Sequence, residues 1–296
     1  MTGSQAQVIA TFSRRMRLRL ANGDEVDARV KGKRMRPVCG DRVVAEPIAN
    51  ESDWLITSIE DRDNALTRPN LRGDVEVLAA NVDQLVAVAA PSPDPDWFVV
   101  DRYVAAAEQM RVGAAILFNK TDLGSGENEA LADYDRIGYP VLECSARDRT
   151  GLDALRALLA GQTAIIVGQS GVGKSSLINA LLGGEEQRTA GISAKSGEGR
   201  HTTVNSVMLD LPHGGRVIDS PGVRDYAPAI ESVAAVAAGF REIDTASHDC
   251  RFANCRHLQE PGCAVKAAVD DGEISARRYE SYRRLLRLTE KLEKQL

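Results

Sequence analysis

One stretch of eight residues limits this chain more than any other. Gly168-Gln169-Ser170-Gly171-Val172-Gly173-Lys174-Ser175 fits the pattern G-x-x-x-x-G-K-[ST]. It follows a strand-like run, Thr163–Val167, and opens a helix-like run, Lys174–Leu182. A strand, a glycine-rich turn and a helix in that order form a phosphate cradle. The glycines let backbone N–H groups curl around anionic oxygens. The helix N-terminus adds partial positive charge. Lys174 is placed to reach terminal phosphates, and Ser175, with Ser176 beside it, to ligate Mg²⁺.

The cradle does not choose the base, but two other loops do. Asn119-Lys120-Thr121-Asp122 follows the apolar run Ala114–Phe118 and reads as N-K-x-D. Asp122 can accept from N1–H and N2–H₂ of guanine, a pair that adenine lacks, and a buried Asp left unpaired penalises the wrong base. Lys120 can lie along the ring, and Asn119 can tie this loop to the cradle. Ser145-Ala146, after Tyr139–Cys144, fits a second guanine loop, with the Ala146 N–H directed at O6. Asp219-Ser-Pro-Gly222 matches D-x-x-G, with Asp219 holding a Mg²⁺ water and the Gly222 N–H sensing the γ-phosphate. Thr202 or Thr203 completes the Mg²⁺ shell, and Thr203 is the preferred reading. The water-orienting Gln that many GTPases place after D-x-x-G is Val223 here. His201 is the candidate to replace it; the competing reading is an ordinary loop histidine.

The usual order of these motifs is rotated. N-K-x-D comes first, then Ser-Ala, the cradle and D-x-x-G, so the chain reads as a circularly permuted P-loop GTPase. Termini that lie close together tolerate such a change. Around it, strand and helix patterns alternate from about residue 75, predicting a mostly parallel sheet covered on both faces. Before it, residues 5–60 give five short β-rich runs with Asn22-Gly23 and Cys39-Gly40 as turns, which suits an OB-fold barrel. An SH3-like barrel is the competitor.

After it, Cys250-x₄-Cys255-x-His257-x₅-Cys263 offers three thiolates and an imidazole. Four such ligands suit one structural Zn²⁺. A charged helix follows, with Tyr279, Tyr282, Leu285, Leu286 and Leu292 at helical spacing, read as packing on a neighbouring domain. The expected division is a multidomain α/β chain: 1–62, an OB-fold RNA-binding domain; 63–73, a linker; 74–240, the permuted GTPase domain; 241–296, a mainly helical zinc module.

The charge split suggests an anionic partner for the front end, although charge alone reads more readily as a solvated surface. Residues 1–42 hold ten Lys+Arg against four Asp+Glu, while 71–240 hold 14 against 22. Arg14, Arg15, Arg17, Arg19, Lys31, Lys33, Arg34 and Arg36 would meet phosphates. Five cysteines, an odd count, argue against a disulfide framework. No apolar run is long enough to span a membrane, and the N-terminus has no signal layout. A cytoplasmic monomer is expected.

Together, N-K-x-D ahead of the cradle, Gly199-Arg-His-Thr-Thr203, Asp219-Ser-Pro-Gly222 and the Cys/His spacing resemble one family. It is that of the bacterial small-subunit-dependent GTPases called RsgA or YjeQ. The resemblance implies GTP and GDP as ligands and hydrolysis stimulated by the small ribosomal subunit. It also implies a late role in subunit maturation and contacts to ribosomal RNA from both flanking modules. The alternatives are a nucleotide-gated RNA-binding or RNP-binding module with incidental hydrolysis, which Val223 favours, and a P-loop ATPase or kinase, which Asp122 opposes.

Overall fold

The structure is a computed structural model that describes residues 3–13, 15–32, 35–69, 75–124, 128–184, 204–220 and 232–294. Five N-terminal strands form the barrel: β1 (Ser4–Phe12), β2 (Met16–Leu20), β3 (Glu25–Val30), β4 (Arg42–Pro47) and β5 (Trp54–Ile59). They run in the order β1-β2-β3-β5-β4, and β4 closes back on β1. The β3–β5 pairing is parallel and the others antiparallel. That is the OB arrangement, and it rules out the SH3-like alternative. Ala6, Val8, Leu18, Ala28, Val43, Ala45 and Ile56 fill its interior. Asn22-Gly23 makes the β2–β3 turn, where Gly23 has φ +93° and the Asn22 side chain accepts from Asp24 N–H.

The stretch 63–73, expected as a linker, contains a strand. β6 (Ala65–Pro69) pairs antiparallel with β7 (Val75–Ala80). Charges and Pro69 hide it in the sequence, yet Leu66 is buried under the nucleotide-domain core. The barrel is joined here too. Asp41, fully buried, accepts two bonds from Arg62 (2.7 and 2.8 Å), and Asn81 Nδ2 donates to Gly40 O.

The second domain holds a parallel sheet in the order β10 (Val141–Glu143), β9 (Gly113–Phe118), β8 (Gln84–Ala89), β11 (Thr163–Gly168), β13 (Arg216–Asp219). β12 (Val204–Asp210) then runs antiparallel to β13. Strand residues alternate between two cores. Leu85, Ala87 and Ala89 face α1 (Trp97–Met110) and α2 (Glu129–Ile137). Val86, Val88 and Ala90 face α3 (Leu152–Leu159) and α4 (Lys174–Leu182).

Barrel and sheet are continuous. The end of β1 pairs with β12, Ala10 opposite Val207 and Thr11 opposite Ser206. Across the same seam, Arg19 of the barrel makes two bonds to Asp210 (2.9 and 2.6 Å).

The C-terminal module contains α5 (Arg241–Ser247), α6 (Ala264–Asp270) and α7 (Ala276–Glu293). Tyr282, Leu285 and Leu286 of α7 pack mainly inside this module, on Val236, Phe240, Ile243 and Val265. Ala105 and Phe98 of α1 are the nucleotide-domain surface they reach. The apolar stripe therefore serves its own core first. Because Val236 and Phe240 join that core, the module's packing begins before residue 241.

Candidate active site and metal centre

The cradle sits where β11 meets α4. Gly173 closes it at φ +96°, and a Cβ there would lie 2.4 Å from Asn119 Nδ2. Only glycine admits both the backbone conformation and the neighbour. Lys174 is buried, and its ammonium donates to the carbonyls of Gly168 (2.6 Å) and Gln169 (2.8 Å). Ser175 and Ser176 open α4, so their N–H groups lack helix partners and face outward from its first turn. Asp219 ends β13, the strand beside β11, and is buried. A serine hydroxyl from the first turn of α4 and a carboxylate from the end of β13 are hard oxygen donors that suit Mg²⁺.

The base loops lock onto this cradle. Asn119 Nδ2 donates to Val172 O at 2.8 Å. Its Oδ1 accepts from Ala146 N–H (3.2 Å) and from the Cys144 thiol (3.5 Å). One side chain thus joins three of the expected loops. Burial pushes the Cys144 thiol up to about 12, so it stays a donor. Lys120 adopts φ +63° and donates to Gly171 O and Ser92 O, each at 2.7 Å. Asp122 Oδ1 accepts from Ser145 Oγ at 2.7 Å, and Ser145 Oγ in turn accepts from Asp148 N–H at 3.0 Å. Arg147 lies 3.8 Å from the other Asp122 oxygen. Gln169 Oε1 accepts from Asp96 N–H at 3.3 Å. Gly168, Ser170, Gly171 and Val172 complete the loop between these anchors.

His201, Thr202, Thr203, Gly222 and Val223 lie outside the described residues. So do Arg14, Lys33 and Arg34 of the basic set. Of that set, Arg17 pairs with Asp27 (2.9 Å) and Arg19 with Glu25 and Asp210. Lys31 and Arg36 are exposed.

Cys250, Cys255, His257 and Cys263 converge, with ligand atoms all within 4.8 Å of one another. His257 Nδ1 is 3.5 Å from the sulfurs of Cys250 and Cys263, which are 3.9 Å apart. A tetrahedron with metal–sulfur bonds of about 2.3 Å has edges of about 3.8 Å, so the spacing fits zinc. Burial, with the two neighbouring sulfurs, pushes the Cys255 thiol up to about 12; burial also lowers the imidazole of His257. Such a cluster becomes thiolate when a cation compensates the charge. Outside the ligands, Tyr279 Oη donates to His257 O, and Tyr282 Oη to Arg256 O at 2.9 Å. Glu260 accepts from the N–H groups of Arg256 (3.0 Å), Leu258 (2.8 Å) and Gln259 (3.0 Å).

Three contributors escape sequence reasoning. The Ser92 carbonyl that holds Lys120 has no side-chain signature. Gln169 reads in the sequence as a cradle position, and nothing there signals its tether to Asp96. The buried Asp101 on α1, bound to Arg277 and Arg278 of α7, joins residues too far apart in the chain for any spacing rule.

The RsgA GTPase family model matches residues 59–228. The small ribosomal subunit biogenesis GTPase RsgA of Azotobacter vinelandii is 44% identical over 254 residues, 84% of this chain and 74% of that protein. Its namesake from Pseudomonas aeruginosa strain PAO1 is 40% identical over 285 residues, 95% and 84%. YjeQ from Thermotoga maritima superposes with TM-score 0.77 at 28% identity, covering 97% of this chain and 98% of that one. YloQ, a circularly permuted GTPase, superposes with TM-score 0.72 at 24% identity, covering 98% and 96%, and supports the fold. The rotated motif order is thus a shared architecture, and the chain belongs to the RsgA GTPase family, which makes it a GTP hydrolase.

Proposed function

We propose that this GTPase acts in biogenesis of the small ribosomal subunit, binding the subunit and its ribosomal RNA and hydrolysing GTP faster when bound. Its relatives, known as small ribosomal subunit biogenesis GTPases, support the partner. The observation that carries the guanine reading is Asn119: its amide donates to Val172 O and accepts from Ala146 N–H, so cradle and base loops form one site.

In this reading the cradle N–H groups and Lys174 bind the β- and γ-phosphates, and Lys174 leaves its loop carbonyls to do so. Ser175 and Asp219 hold Mg²⁺, directly or through water, with Thr203 as the switch residue. The ion supplies neutralisation of charge developing on the phosphate oxygens. Asp122, steadied by Ser145, reads guanine, and Lys120 flanks the ring. His201 orients the attacking water. Cys250, Cys255, His257 and Cys263 hold one structural Zn²⁺. Lys31 and Arg36 of the barrel meet RNA phosphates. The chain works as a monomer in the cytoplasm.

Competition of unlabelled nucleotides against a fluorescent GDP analogue tests the site. GTP and GDP compete and ATP does not. Displacement by ATP at similar concentration contradicts the guanine assignment.

A further inference from the structure

The turn between the first two metal-type ligands carries an aromatic ring that the fold leaves outside. Phe252 is 41% exposed. The other exposed large apolar side chains among the described residues, Val75 and Leu123, belong to other modules. Arg251, Phe252, Ala253 and Asn254 are all exposed. Their backbone is nonetheless fixed. Cys255 N–H donates to Phe252 O at 3.1 Å, and Arg251 N–H donates to Gly262 O at 3.2 Å. Both ends are cysteines of the cluster. Gly262 makes room for the arginine, since a Cβ there would sit 3.3 Å from Arg251 Cβ. The Arg251 guanidinium carbon stands 5.4 Å from the Phe252 ring centroid.

We propose that Phe252 and Arg251 form a stacking platform for one unpaired RNA base. The inference rests on the reading that the chain binds small-subunit RNA. A base offers a π-face to the ring, and its phosphate offers a charge to the guanidinium. The Asn254 amide stands two residues away with donors and acceptors for a base edge. A rigid turn gives this contact little ordering cost. An apolar protein partner fits less well, because Phe252 is the only exposed large apolar side chain among the described residues of this module, and one ring cannot exclude water around itself.

The test is equilibrium binding of full-length, zinc-loaded protein to isolated small subunits at several salt concentrations, with a non-hydrolysable GTP analogue. Phe252→Ala binds roughly tenfold more weakly, the loss of about one stacked base. Its salt slope stays unchanged, and Phe252→Trp binds within about twofold of wild type. Arg251→Ala instead lowers the salt slope by about one phosphate contact. Zinc content and unstimulated hydrolysis stay at wild-type values in all three variants. Ultraviolet crosslinking of the wild type places a nucleotide adduct on the 251–254 peptide.

Unchanged affinity in Phe252→Ala overturns the platform, as does an adduct to ribosomal protein alone. If wild type binds subunits and only the variant result fails, this inference alone falls. If wild type does not bind subunits at all, the underlying reading falls with it.

Discussion

Arg278 Nη1 lies 2.7 Å from Asp101 Oδ1, and both side chains are fully buried between the C-terminal helix and α1. The same guanidinium makes two bonds to Glu242 of α5 (2.7 and 3.0 Å) and covers the Phe240 ring. Arg277 adds a second bond to Asp101 at 2.9 Å, and Tyr134 of α2 donates to Asp101 as well. Each buried charge is thus compensated by its neighbours. Asp101 sits on the helix whose cap residue, Asp96, bonds Gln169 of the cradle. The C-terminal module is therefore clamped to an element that also touches the phosphate site.

Removing one member of that clamp strands a buried charge. Arg278→Met is expected to cost about 3–5 kcal/mol, the usual penalty for breaking a buried pair. Chemical denaturation of the full chain reads it. Pairing it with Glu242→Gln and Asp101→Asn should recover part of the loss, because the stranded charges go too. A change below about 1 kcal/mol in the single variant would show that the network contributes little.

Gly173→Ala tests the joint between cradle and base loop. A methyl group there collides with Asn119 Nδ2, and alanine resists φ +96°. Stability should fall by about 1–3 kcal/mol, from strain alone. Nucleotide affinity should fall further than the stability loss explains, because Asn119 no longer reaches Val172. Affinity at wild-type level, measured by titration calorimetry, would mean that the Asn119 bridge is dispensable.

Asp122 and Ser145 can be separated by chemistry. Asp122→Asn should lose guanine nucleotides by about 10⁴-fold, since a site built to hydrogen-bond rejects the wrong pattern. It should gain xanthine nucleotides, whose pattern matches an amide. Ser145→Ala removes one hydrogen bond to the same carboxylate and should weaken GDP binding by about tenfold. Xanthosine diphosphate binding no better than GDP in the Asp122 variant would refute the assignment.

Glu260 gives the metal loop a pH signature. Partial burial raises its carboxyl, but the N–H groups of its own loop hold it down at about 2 against an ordinary 4.5. The folded value is depressed, so the stabilisation is complete above 4.5 and fades as pH falls towards 2. Glu260→Gln should lower the thermal midpoint at pH 7. That gap should narrow as the pH drops below about 4.5, through the unfolded carboxyl's titration. A gap independent of pH in that window would show that the charge plays no part.

The sequence reveals the parts of this molecule whose chemistry is contiguous. The cradle, N-K-x-D and D-x-x-G each lie within a single turn of chain, and the four metal-type ligands fall within fourteen residues. The five barrel strands are legible from β-rich runs cut by Asn22-Gly23 and Cys39-Gly40. What stays hidden depends on distant partners. Strand β6 is masked by charges and Pro69 and exists because β7 pairs with it. Helix α2 is short and acidic; Asn128 caps its start and Gly138 its end, and its buried face, with Leu131 and Tyr134, seats it on the core. The fusion of barrel and sheet needs Ala10 beside Val207. The Arg278–Asp101 pair spans 177 positions. Neither juxtaposition leaves a periodic trace along the chain.

The proposed function is that of a guanine-specific hydrolase switched on by the small subunit. Its most direct test is the GTP hydrolysis rate of the purified, zinc-loaded protein, alone and with isolated small subunits, at low and high salt. Hydrolysis should be slow alone and strongly stimulated by subunits at low salt, and that stimulation should be lost as salt screens the phosphate contacts. Equal rates with and without subunits, while GTP still binds and ATP is refused, would contradict it. That outcome would leave a guanine-nucleotide-gated binding protein in its place.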